Sequence, residues 1–249
     1  MTAARERAGK PTYGFDAPHV PLFLCGWGSV LIVGAAFTYA SSDPVVATGV
    51  LALGLFTLLS GLSFVYTTRR GKLEIWAGLV HDLTLTGTER VLDLGCGRGA
   101  VLVLAAKRVP LGRAVGLDLW HRADQTGNTA DATRRNLDDE GVEGQSRLTT
   151  ADMRALPFAD ATFDLVVSSL AIHNISDADG RHAAVAEAFR VLRPRGRLLV
   201  ADFRSTNEYV DALRTLGATD IASRNLGWRF WYGGPWAATR LVTATKTSA

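Results

Sequence analysis

The residues of this 249-residue chain best able to do chemistry are a glycine loop, three aspartates and one histidine. The loop reads Asp93-Leu94-Gly95-Cys96-Gly97-Arg98-Gly99-Ala100. Glycines let backbone approach a ligand with no side chain between them. Gly95, Gly97 and Ala100 satisfy G-x-G-x-x-A, the dinucleotide pattern, which alone is a weak signal. Asp93 separates the readings, because a carboxylate there repels a pyrophosphate and welcomes an ammonium. Asp118 and Asp152 each close a short apolar run, and Asp152 can accept from a nucleobase amine. His173 lies in Ser168-Ser169-Leu170-Ala171-Ile172-His173-Asn174. A neutral imidazole near pH 7 can take a proton or orient a substrate. Cys96 reads as a small residue in a tight turn, and Cys25 and Cys96 together suggest neither a disulfide framework nor a metal site.

These residues need elements to position them. Apolar runs at 90–94, 114–119, 147–151, 163–169, 197–203, 221–224 and 240–246 predict seven strands. Helices are predicted at 100–109, 131–139, 183–192 and 207–216. Alternating strands and helices imply an α/β fold, a Rossmann-like doubly wound, mostly parallel sheet. Ligands in such sheets bind at the carboxyl ends of strands where the order reverses.

The chain is 47% hydrophobic and 20% charged, an average soluble composition. The average conceals two spans, 20–40 and 45–68, that hold no Lys, Arg, Asp or Glu. About 20 apolar helical residues cross a bilayer core. Ser41-Ser42-Asp43-Pro44 joins the spans as a tight turn, so a transmembrane helical hairpin is predicted. Arg5, Arg7 and Lys10 precede it, Arg69, Arg70 and Lys72 follow it, and the turn has no Lys or Arg. The positive-inside rule then puts both termini at the cytoplasmic face of the cell membrane. Ala47, Gly54 and Gly61 recur every seven residues and offer a small-residue face for close helix packing. Homodimerisation through the hairpin stays open. The net charge of +3 counts against a nucleic-acid partner.

Over residues 72–246 the chain resembles the class I S-adenosylmethionine-dependent methyltransferases, in the subgroup of quinone-ring and small-molecule enzymes. The residues that carry it are Val91 to Gly99, Gly116-Leu117-Asp118, Ala151-Asp152-Met153 with Leu156-Pro157-Phe158, Phe163 to Ser169, and Val191 to Leu198. The resemblance implies S-adenosylmethionine as cofactor. Asp93 and the loop of Gly95, Cys96, Gly97 and Gly99 would face its methionine part, Asp118 its ribose, and Asp152 with Met153 its adenine, with Leu94 and Leu119 also assigned to the cofactor. Ser169 is assigned to the cofactor as well. His173 would face the transferred methyl as the base, with Asn174 beside it.

Two further segments are candidates for the acceptor. The segment Gly227 to Trp236 packs five aromatics and Arg229 into ten residues. It reads as a wall around an apolar or cationic substrate, as a belt on the membrane, or as ordinary hairpin packing. Trp228, Arg229, Trp231 and Tyr232 are its candidate contacts. The segment Tyr13 to His19, with Tyr13 and Asp16, is expected to fold over the site as a lid. The expected organisation is a cytoplasmic segment 1–19, a hairpin 20–68 and a methyltransferase domain 69–249. A membrane-anchored methyltransferase for a small or lipid-like acceptor follows, with O, N, S or ring C as the accepting atom. The alternatives are a protein or nucleic-acid methyltransferase, a non-catalytic cofactor-binding membrane sensor, and a nicotinamide-dependent oxidoreductase.

Overall fold

Uncharged sequence forms the first two elements of the computed structural model, which describes residues 12–41, 44–121 and 124–248. They are the helices α1 (His19–Ser41) and α2 (Pro44–Tyr66), both long and apolar enough to cross a membrane. The basic residues 5, 7 and 10 and the turn residues 42–43 lie outside the described residues. The helices touch through glycine. A Cβ at Gly28 would sit 2.6 Å from the Leu58 backbone nitrogen, and one at Gly54 or Gly61 would sit 3.0 Å from that of Ile32 or Cys25. The seven-residue face of small side chains is therefore spent inside the hairpin. Outward-facing side chains stay bare, Val33 at 71% and Leu59 at 63% exposure. Apolar patches of that extent mark a membrane or partner surface.

α2 does not stop where the second apolar span stops. A π turn, Thr67–Gly71, carries it into α3 (Lys72–Asp82), so one helix runs from Pro44 to Asp82. The polar half is amphipathic, and Trp76, Leu79 and Val80 are buried against the sheet. The sequence reading has no helix here, although Trp76, Leu79, Val80 and Leu83 stand at helical spacing.

The sheet holds β1 (Arg90–Leu94), β2 (Arg113–Asp118), β3 (Ser146–Thr150), β4 (Phe163–Ser169), β5 (Leu192–Asp202), β6 (Thr219–Asn225) and β7 (Arg240–Thr245). Between them lie α4 (Ala100–Arg108), α5 (Ala130–Asp139), α6 (Ala178–Val191) and α7 (Thr206–Thr215). The strand order is β3-β2-β1-β4-β5-β7-β6, with β7 antiparallel to both neighbours. This is the predicted fold class, and the order reverses between β1 and β4. Two boundaries differ from expectation by five residues. α6 starts at Ala178, where the Asp177 side chain accepts from the Gly180 backbone at 2.6 Å. β5 starts at Leu192 and runs through Arg193-Pro194-Arg195-Gly196, a segment whose Pro and Gly read as a helix stop.

Gly71 has ordinary helical angles, so its constraint is space rather than conformation. A Cβ there would collide with the backbone carbonyl oxygen of Arg229, whereas Gly78 in α3 has nothing within 4 Å. Gly71→Ala is expected to cost roughly 1–3 kcal/mol by overpacking. Its thermal midpoint in detergent should fall by several degrees, while that of Gly78→Ala should hold or rise.

Candidate functional site

At the carboxyl end of β1 the chain turns through three left-handed glycines, Gly95, Gly97 and Gly99, at φ of +70°, +50° and +84°. A Cβ at Gly95 would strike the side chain of Ala171, so the close approach and the positive φ both demand glycine. The loop is held from below and from the side. Gly95 and Cys96 donate backbone N–H groups to the Leu117 carbonyl at 2.8 and 3.1 Å. Thr133 Oγ1 donates to the Gly97 carbonyl at 2.7 Å, and Asn136 Nδ2 to that of Arg98 at 2.8 Å.

Under this loop Asp93 is 1% exposed, and among the described residues neither carboxyl oxygen has a hydrogen-bond partner. Burial, reinforced by the charge of Asp118, pushes its carboxyl up to about 8. An unpaired buried carboxylate is costly and is relieved by a cation. Asp118 is partly committed: Oδ2 accepts from Gly97 N at 2.8 Å, and Oδ1 from Trp120 N at 2.6 Å and Asn128 Nδ2 at 3.3 Å. Asp152 is clamped by the Arg154 guanidinium at 2.6–3.1 Å, whose hydrogen bonds hold its carboxyl below the usual range. Cys96 is buried, and burial pushes its thiol well up, away from reactivity.

A cavity of about 640 Å³ joins these groups to the second half of the site. Asp93, Gly95, Cys96, Gly97, Asp118, Leu119, Asp152, Met153 and Ser169 line one part, and Asp16, His173, Asn174 and Tyr232 the other. Leu94 is wholly within the core and Gly99 caps α4, so neither lines it. Tyr13 faces away and donates its hydroxyl to Glu140 at 2.6 Å. Trp228 stacks on Tyr66 with centroids 5.4 Å apart, Arg229 lies 3.8 Å from Glu74, and the Trp231 carbonyl accepts from Thr67 Oγ1 at 2.6 Å. These three pack along the helix outside the cavity.

His173 sits on a short turn, Ile172–Asn174. Its Nδ1 lies 2.7 Å from Oδ1 of Asp202, at ion-pair distance but with the N–H direction off the line of a full hydrogen bond. The His173 backbone N–H and the Tyr209 hydroxyl donate to Asp202 Oδ2 at 3.1 and 3.2 Å. Asp202 is fully buried, and the rings of Phe203 and His173 are inclined to each other with centroids 4.6 Å apart. With Nδ1 turned to Asp202, Nε2 is the nitrogen left for a ligand.

Asp16 ties the remaining wall together. Its oxygens accept from Lys72 Nζ at 2.8 and 2.6 Å, Gln125 Nε2 at 3.1 Å and the Tyr232 hydroxyl at 2.8 Å. Burial and the Asp16 charge push the Tyr232 phenol well up, so it remains a donor. Gln125 Oε1 accepts from Arg98 N at 3.0 Å and so connects Asp16 to the glycine loop. Lys72, Gln125, Asp202, Phe203 and Trp76, whose Nε1 donates to Ser169 Oγ at 2.8 Å, are absent from the sequence-derived candidates. Only Asp202 had a signal, a carboxylate closing an apolar strand as Asp118 does.

Residues 92–200 match the family described as the methyltransferase domain. The match takes in the glycine loop, Asp93, Asp118, Asp152 and His173. Curated relatives include two proteins named ubiquinone/menaquinone biosynthesis C-methyltransferase. The one from Dinoroseobacter shibae is 35% identical over 131 residues, covering 52% of this chain and 49% of that protein. The one from Vibrio campbellii is 39% identical over 117 residues, covering 46% and 41%. The chain thus spans about half the length of the curated relatives it matches. Solved structures share the fold. A TehB-like SAM-dependent methyltransferase from Corynebacterium glutamicum is 19% identical with a TM-score of 0.53, covering 70% of this chain and 88% of that one. The [4+2]-cyclase SpnF is 19% identical with a TM-score of 0.56, covering 70% and 80%. One fold thus carries two differently named chemistries, so the reaction must be argued from the site.

Asp93 gives a pH test with a definite sign. The folded protein keeps this proton up to about pH 8, whereas the ordinary value is 3.8. Between those limits the folded state binds one more proton, so its stability falls as pH rises. Thermal midpoints of the ligand-free protein should drop from pH 5 to pH 8, and Asp93→Asn should flatten that slope.

Proposed function

We propose that this chain is a membrane-anchored S-adenosylmethionine-dependent methyltransferase acting on a small or lipophilic acceptor met at the membrane surface. The observation that carries it is a single cavity running from an orphaned carboxylate and a glycine cradle to an imidazole and an apolar wall. The residues fit the cofactor. Asp93 lacks the cation that an amino-acid ammonium supplies, and Gly95 leaves room that no side chain can share. Asp118 keeps acceptor capacity for ribose hydroxyls. Met153 offers an apolar face to adenine and Asp152 an acceptor to its amine.

The bound cofactor supplies an electrophilic methyl on sulfur. The protein aligns the nucleophile and excludes water. His173 Nε2 takes the acceptor proton, while Asp202, backed by Tyr209, fixes the ring and offsets the imidazolium charge. Phe203, Phe64 and Tyr232 keep the acceptor side low in polarity, which suits a step in which the sulfonium charge disperses. The names of the relatives support a quinone-like ring as acceptor, reached from the bilayer that the hairpin crosses with both termini cytoplasmic. The segment from Thr12 to Ala17 acts as a lid. Thr12 bonds to Asn136, Thr126 N donates to the Phe15 carbonyl at 3.0 Å, and Asp16 closes the cavity wall.

The test is transfer of labelled methyl into a membrane lipid extract by the protein in proteoliposomes. Cofactor binding without transfer would leave a sensor and overturn the enzyme. His173→Gln and Asp202→Asn should each lower turnover on the order of 100-fold, the size of a lost proton transfer. Cofactor affinity measured by calorimetry should stay within a few-fold of the parent. An unchanged rate in His173→Gln removes the base role.

A further inference from the structure

The loop from Trp228 to Ala237 climbs along α2. Trp228 stacks on Tyr66, the Trp231 carbonyl accepts from Thr67 and Ser63, Tyr232 meets Phe64 at 4.8 Å, and Trp236 meets Phe56 at 5.2 Å. Phe56 lies ten residues before Tyr66, about 15 Å further from the sheet at 1.5 Å per residue. Arg69, Arg70 and Arg229 stand at the Tyr66 end, where headgroups would meet cations.

From this we infer that the Trp228–Ala237 loop is re-entrant and enters the hydrocarbon core beside α2 as part of the membrane-binding surface. The inference rests on the reading of the hairpin as membrane-spanning. Length decides the depth. If the hydrocarbon boundary lay at Phe56, only the stretch from Pro44 to Phe56 would remain, about 20 Å of helix, too short for a core of about 30 Å. The boundary must lie nearer Tyr66, and Trp236 is then inside it. Non-helical backbone survives at that depth only if its polar groups are satisfied within the protein. The backbone N–H groups of Phe230, Tyr232, Ala237 and Thr239 meet that demand. Phe230 N bonds the Gly227 carbonyl, Tyr232 N that of Ala237, Ala237 N that of Gly234 and Thr239 N that of Phe230, all at 3.0–3.1 Å. Thr67 and Ser63 of the helix cap the Trp231 carbonyl. Trp236, 62% exposed, is an apolar surface with lipid as its natural neighbour. The apolar end of the cavity, at Val20, Phe64 and Tyr232, then lies at the membrane boundary, and an acceptor can enter without leaving the bilayer.

Spin labels test this in proteoliposomes on a Cys25→Ala background, with Cys96 buried. Labels at Trp236→Cys, Val33→Cys and Leu216→Cys report exposure to oxygen, which partitions into lipid, against a water-soluble nickel chelate. Lipid-like ratios at both 236 and 33, against a water-like ratio at 216, are expected. A water-like 236 with a lipid-like 33 overturns the re-entrant loop and leaves the hairpin intact. Water-like ratios at both overturn the hairpin reading and the loop together. Should Trp236→Cys fail to bind cofactor, depth is read in the unlabelled protein. Lipids brominated at mid-chain should quench a share of tryptophan emission that is missing in Trp236→Phe, and equal quenching in both proteins overturns the proposal.

Discussion

The Asp16–Lys72 ion pair is the contact on which one wall of the cavity depends. Both side chains are largely buried, at 18% and 8% exposure, so their attraction is set against a large desolvation cost. Such a pair specifies geometry more than it adds stability. Here it gathers four segments remote in sequence: the N-terminal strap, α3, the loop after β2 through Gln125, and the aromatic loop through Tyr232. Two carboxylate oxygens accept from all three donors, which is close to the full capacity of the group. Removing Asp16 would strand a buried ammonium and a buried phenol together. The strap is therefore a structural member of the site, joined to the glycine loop through Gln125, through Asn136 and by the Arg98 guanidinium, which donates to Thr12 Oγ1 at 2.6 Å.

The unbroken helix from Pro44 to Asp82 gives that contact its wider meaning. Lys72 opens the polar part of the same helix whose apolar part faces outward. One turn on, Trp76 reaches through the core to Ser169 at the end of β4. The π turn between them lets the helix present one face to α1 and another to the sheet. A displacement of α2 relative to the sheet would be felt at Asp16 and at Ser169, on two sides of the cavity. The Arg229 carbonyl pressed against Gly71 fixes the aromatic loop to the same helix. The hairpin is thus built into the wall of the site.

Much of this was legible in the sequence, for physical reasons that can be named. The glycine loop, Asp93, Asp118 and the seven strands stood out because a parallel sheet writes itself as short apolar runs, and close backbone approach demands glycine. The seven-residue spacing of Ala47, Gly54 and Gly61 became the face on which α1 rests. α3 was missed because its apolar residues follow directly on the second apolar span and no capping residue divides the two. The partners of Asp16 and His173 were missed for another reason. Lys72, Gln125 and Asp202 come from elements that only the folded chain brings together, and a single lysine after a membrane span reads as a flanking charge. Trp228, Arg229 and Trp231 share an aromatic segment with Tyr232, yet alternation sends only Tyr232 to the cavity.

The site holds two deeply buried aspartates of opposite character, and the contrast argues for the direction of the chemistry. Among the described residues Asp93 has no hydrogen-bond partner, and it keeps its proton to about pH 8, so it is a buried acid that a positive ligand would help to ionise. Asp202 is surrounded by the His173 and Phe203 backbone N–H groups, the Tyr209 hydroxyl and the imidazole. A negative charge so well supported can stabilise a positive one that forms beside it during a reaction. The two carboxyl groups thus serve one cavity, Asp93 lining it directly and Asp202 acting through His173, one suited to receive a positive ligand and the other to support a positive charge on the imidazole.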